Sequence, residues 1–184
     1  MPFVYPRHRR QTHMTDNTTA TSTVPDRDRN ADGRPENARP RDRFGAPLPR
    51  GASNELIDRV EPEDVCTSLE QTHAAAVELF DQQRFFEAHE FFEWAWKGPF
   101  TPDEERPFYK GLAQLAVGYT HTQRGNAKGA ASLLQRGIDH VGPFGPIHAG
   151  VDVARAIEDA RRFAETVEAV GPSPDLTFPR FPRG

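Results

Sequence analysis

The chain of 184 residues is short of several things, and each shortage removes a class of function. It has one cysteine, Cys66, so no disulfide can close within the chain and no cysteine-based zinc site can be built. A reducing cytoplasm is the natural compartment for such a composition. It has no run of eighteen apolar residues, so no membrane-spanning helix is expected. Arg9-Arg10 is followed by no apolar segment, so no signal peptide is read. Lysine is scarce: three Lys stand beside twenty Arg, which fits a GC-rich genome better than a phosphate-binding surface. Strand-like alternation is missing throughout.

What is present is divided unevenly. Hydrophobic residues make up 36% of the chain, low for a fully globular protein, so part of it is expected to be unstructured. Residues 1–53 hold ten Arg against six acids, a charge of +4, with much Pro, Thr and Asn. They read as a disordered or extended N-terminal segment; the piece ENARPRDRFGAPLPRG, with Phe44 and Leu48 as apolar anchors, would either lie across the domain or serve as a free linker. Residues 54–184 hold thirteen Lys or Arg against twenty-one acids, a charge of −8, which argues against non-specific nucleic-acid binding.

Helical spacing then dominates. Pro62-Glu63-Asp64 opens a helix to about Asp81, with Val65, Leu69, Thr72/His73, Ala76, Leu79 and Phe80 on its inner face. RFFEAHEFFEWAWK (84–97) is the second helix, stopped by Gly98-Pro99. The third, about 103–124, is apolar nearly all round and is expected to be buried. A fourth spans about 127–141, burying Ala127, Ala130/Ala131, Leu134, Ile138 and Val141. A fifth spans about 150–170, burying Ala154, Ile157, Ala160/Arg161, Ala164 and Val167. The fold class is all-α: a compact bundle of about five helices over 54–172, with an extended tail at 173–184 anchored by Phe178 and Phe181.

The second helix carries the chemistry. Four Phe, two Trp, one His and three Glu share fourteen residues. At 100° per residue Phe91, Ala95, Ala88, Phe92, Phe85 and Trp96 form one apolar arc, while His89, Glu93, Glu90 and Glu87 form a separate sector flanked by aromatics. On the third helix Lys110, Gln114 and His121 fall within about 40° of one another, beside Gly111 and Gly118, whose small size lets another helix come close. A polar stripe on an apolar helix must be satisfied if buried. The expected site is therefore Glu87, His89, Glu90 and Glu93 facing Lys110, Gln114 and His121. Its strongest members, His89, Glu90, Glu93, Gln114 and His121, are expected to converge on one cavity.

Several readings of that constellation stand. Carboxylates paired with Lys110 and His121 would only fix helix register. A small-molecule or hydrolase-like pocket would use Glu90 or Glu93 as base, His121 or His89 as acid, and Trp94 and Trp96 as walls. A divalent metal would take His89, Glu90, Glu93 and His121 as ligands. The first two helices also resemble one tetratricopeptide unit, which would make the chain a protein-interaction module, although no second copy follows at a period near 34. Cys66 reads as a small apolar residue. His140 and His148 read as surface or loop residues, and Arg124 as a helix-end residue able to reach an anion.

The pattern aromatic-x-Ala-His-Glu-x-x-Glu-x-x-Trp, here Phe86 through Trp96, resembles the family of domain of unknown function 309. So does ERPFYKGLAQLAVGYTHTQRGNAKGAASLLQRG further on. The resemblance covers about residues 70–141. The segments ARPRDRFGAPLPRG and DLTFPR are similar to extensions of the family's actinobacterial branch. The resemblance implies a compact helical bundle and brings no reaction, ligand or oligomeric state with it.

Overall fold

The computed structural model describes residues 28, 30–34, 39–42, 44–49, 51 and 60–184. Most of the segment expected to be disordered lies outside those residues. Within them the chain folds as six helices: α1 (Pro62–Val65), α2 (Leu69–Asp81), α3 (Phe85–Lys97), α4 (Arg106–Gln123), α5 (Ala127–Val141) and α6 (Val153–Val170). The bundle is all-α in class, as the spacing predicts, and one element differs. The expected first helix is broken in two, because Ser68 caps α2: its side chain accepts from the Gln71 amide at 3.2 Å while Cys66 ends α1 in an extended conformation.

A second difference lies between α5 and α6. A 3-10 turn (Gly142–Phe144) is followed by a two-residue antiparallel pair, β1 (Ile147–His148) and β2 (Val151–Asp152). Ala149 and Gly150 both take positive φ at its tip, the geometry of a tight hairpin turn. Asp152 then caps α6 by accepting from the Arg155 amide at 2.9 Å. This sets the phase of α6: Val153, Ala156, Ala160, Phe163 and Val167 are buried, and Ala154 and Arg161, expected inside, are exposed. Ala127 on α5 is exposed for the same kind of reason, since Asn126 holds the cap beside it.

α4 packs against both α3 and α5. Gly111 and Gly118 do let a neighbour come close, and that neighbour is α5: a Cβ on Gly111 would meet Val141 and His140, and one on Gly118 would meet Leu134. The core is built around Phe85, Phe91, Phe92, Phe108, Leu79 and Leu134, all fully buried. The C-terminal tail completes it. Phe178 packs on Phe85, Tyr119 and Phe163, and Phe181 on Phe80, Phe92 and His73. Burying each ring contributes about 2–3 kcal/mol, and the edge-to-face contacts add to that. Asp81 clamps the tail, accepting from the Phe181 amide at 2.8 Å and from Arg183 at 2.7 Å.

Candidate polar site between α3 and α4

α3 turns its apolar arc inward: Phe85, Ala88, Phe91, Phe92 and Ala95 have no exposed surface, and Trp96 is half-buried. Glu87 is also inside, 7% exposed, and its oxygens are held by Arg84 three residues earlier, with Nε donating to Oε2 at 2.9 Å. A buried carboxylate paired within one turn is satisfied locally, so Glu87 serves the start of α3.

His89 is oriented by the backbone. Its Nδ1 meets the carbonyl oxygen of Phe86, and its ring lies 4.7 Å from the Phe86 ring. A carbonyl only accepts, so Nδ1 carries a proton. Nε2 stands 3.9 Å from Oε2 of Glu93, beyond direct hydrogen-bond reach. The other Glu93 oxygen contacts Lys97. Glu90 and Glu93 together line a groove of about 290 Å³ with Trp94, Lys97 and the start of α1 (Pro62 and Glu63).

On α4 the half-buried residues Lys110, Gln114, Val117, His121 and Arg124 recur at helical spacing and make one stripe. Both ends of it touch α3: Lys110 Nζ lies 5.8 Å from the Trp96 ring, and the Arg124 guanidinium 5.5 Å from the Phe86 ring. In between, Oε1 of Gln114 is buried and has no hydrogen-bond partner. His121 is oriented from α5. Its Nδ1 is 3.0 Å from Nδ2 of Asn126, whose Oδ1 accepts from the Gly129 amide at 2.9 Å. That second bond fixes the amide, so Nδ2 donates to Nδ1 and the proton of His121 sits on Nε2. Burial, and then the nearby Arg124 charge, hold the His121 pKa below its ordinary value, so the ring is neutral at pH 7.

The expected residues are thus brought together in part. His89 approaches Glu93, Glu90 and Glu93 share a groove whose other wall is α1, and Gln114 and His121 share the α4 stripe with Lys110. Among the described residues neither Gln114 nor His121 hydrogen-bonds to α3. His89, Glu90, Glu93 and His121 do not form a metal cage: among the described residues no group of three or more His, Cys, Asp or Glu is placed to hold an ion. The physical reason is that the two histidines are already oriented by a carbonyl and an amide on different elements. Sequence reasoning missed Arg84 as the partner of Glu87 and Asn126 as the residue that sets the His121 tautomer. The i,i+3 spacing of Arg84 and Glu87 was a usable signal, as was the Asn-x-x-Gly helix start.

Arg124 joins the stripe to the N-terminal segment. The described residues of 40–48 form a tight loop: Leu48 donates to the Pro40 carbonyl at 2.7 Å, and Asp42 Oδ1 accepts from the Phe44 and Ala46 amides at 2.9 and 2.8 Å. Nε of Arg124 donates to the Phe44 carbonyl at the loop's tip. The described residues of this segment thus contact the bundle through Phe44 and Gly45.

No helix among the described residues is long and apolar enough to cross a membrane. No curated protein matches the chain. The family model described as Domain of unknown function (DUF309) matches residues 74–133, from within α2 to within α5. The helices that carry the polar stripe and the His89 sector both lie inside that match, and over this stretch the chain is similar to the DUF309 family.

Proposed function

We propose that the seam between α3 and α4 binds a small polar molecule. The observation that carries this reading is Oε1 of Gln114, buried, without a partner, and central in a stripe that also holds Lys110, His121 and Arg124. Buried acceptors are nearly always hydrogen-bonded, and an orphan one costs about 1–3 kcal/mol. A ligand with an N–H or O–H donor would remove that cost. The antiparallel register supports a shared location. Trp96 meets Lys110 at one end and Phe86 meets Arg124 at the other, so interpolation puts His121 level with His89 and Gln114 level with Glu93.

The tautomers favour a second, hydrolase-like reading of the same seam. His89 carries a proton on Nδ1 against the Phe86 carbonyl, and His121 carries one on Nε2. Two imidazoles on facing helices, held by different partners, are groups of the type that general acid–base chemistry uses. An interaction module is less well supported, because the apolar face that a partner helix would use between α2, α3, α4 and α6 is filled by Phe178 and Phe181.

A thermal-shift screen of small amides, alcohols and carboxylic acids tests the reading. At least one probe should raise the melting temperature of the native chain and lose that effect in Gln114→Met. Probes that shift the native chain and Gln114→Met equally would contradict it, and so would a screen without any shift.

A further inference from the structure

Arg124 is held in an unequal way. Its Nε donates to a neutral acceptor, the Phe44 carbonyl, while Nη2, on the same edge of the guanidinium, is buried without a hydrogen-bond partner. That edge is the fork that pairs with two oxygens of one carboxylate or phosphate. The nearby carboxylate, Asp42, does not fill it: Nη2 has no hydrogen-bond partner, and Asp42 Oδ1 accepts from two amides of its own loop. Arg41 adds a second guanidinium at the same place and spends Nη1 on the Gly45 carbonyl at 2.7 Å. Burial first, and then Arg41, press the Arg124 pKa below its ordinary value, against a smaller opposing pull from Asp42. The cover over Nη2 is the loop tip. Gly45 is buried with a φ of 73°, and a Cβ there would overlap the Phe86 ring and Nη2 of Arg124.

We infer that the Nε–Nη2 edge of Arg124 is an oxyanion site, for a carboxylate or a phosphate, and that Phe44 and Gly45 stand in it as a removable plug. A latch with only a structural purpose would use both N–H groups. Here one is answered by a single uncharged oxygen and the other is only covered. The plug is preformed, because the 40–48 loop is closed by its own hydrogen bonds and can leave as a unit. The site ends the stripe that holds Gln114 and His121, so the inference rests on the seam as a ligand site and adds a negative charge to what the ligand carries.

Calorimetry of the full chain with sodium phosphate and with sodium acetate tests this, at ionic strength matched with sodium chloride. Gly45→Val lifts the tip, by overlap and by strain at positive φ, and Gly45→Ala does so more gently. One of the two anions should bind Gly45→Val about tenfold more tightly than the native chain, because the plug no longer competes. The better anion names the class. The gain should be smaller in Gly45→Ala, absent from Gly45→Val/Arg124→Gln, and intact in Gly45→Val/Gln114→Met. The last variant separates this site from the Gln114 reading, which can fail without it. No gain in either Gly45 variant, with helix content unchanged by circular dichroism, would overturn the inference. So would a gain that survives Arg124→Gln.

Discussion

The C-terminal tail lays two Phe rings into the core, whereas the N-terminal loop reaches the bundle through a guanidinium and a backbone carbonyl. Phe178 and Phe181 are 6% and 4% exposed, and Asp81 secures the chain between and beyond them. The loop has Gly45 buried against Phe86 and Arg124, while Phe44 and Leu48 remain half-buried. Apolar burial is worth several kcal/mol and does not depend on what else is bound. A single charge-assisted hydrogen bond is worth less and can be replaced by a better acceptor. The two extended segments therefore differ in kind: one is part of the core, and the other is a contact that a ligand can contest.

The largest test of that contrast is Phe181→Ala. Removing a ring that packs on Phe80, Phe92 and His73 should cost about 3–5 kcal/mol in denaturant-induced unfolding. A cost near that of a surface substitution would mean that the tail is not core.

Acid should weaken the same region. His73 is enclosed by Phe92, Tyr109 and Phe181, and its Nδ1 has no partner. Burial, and then the charge of Arg183, push its pKa from 6.5 down to about 4. Between those pH values the unfolded chain binds the proton and the folded chain does not. Stability is therefore fully present above about pH 6.5 and falls as pH drops toward 4, by about 3 kcal/mol in all. Unfolding midpoints at pH 7 and 4.5 should show this fall, and His73→Phe should flatten it.

Two smaller effects concern the seam. Gln114→Met should stabilise the ligand-free chain by about 1 kcal/mol, since it removes an orphan acceptor and keeps the volume. Destabilisation would mean that the amide is satisfied and structural. Arg124→Gln should cost about 1 kcal/mol or less, while speeding tryptic cleavage of the loop after Arg41. A loop equally resistant in that variant would show that Arg124 is not its latch.

The apolar arc of α3 and the polar stripe of α4 were legible in the sequence because both follow from 100° per residue and nothing later overrides them. The phase of α6 was not. Its alanines offer two overlapping apolar faces, and the choice is made by Asp152 and by the tail packed on Phe163. The break at Ser68 was missed because apolar spacing continues through it, and only the cap reveals the stop. The site was half legible. Residue types and faces were readable, but the tautomers of His89 and His121 depend on a carbonyl three residues back and an amide on the next helix. The Phe44–Arg124 contact joins residues 80 apart in the chain, and no periodicity encodes it.

The central claim is that the seam holds two histidines with opposite ring nitrogens turned to their fixed partners, beside the orphan acceptor of Gln114. Two-bond proton–nitrogen NMR of the imidazoles at about pH 7.5 reads this directly. The predicted result is His89 with a proton on Nδ1, and a neutral His121 with its proton on Nε2. The same tautomer at both positions, or a charged His121 at that pH, would contradict the account.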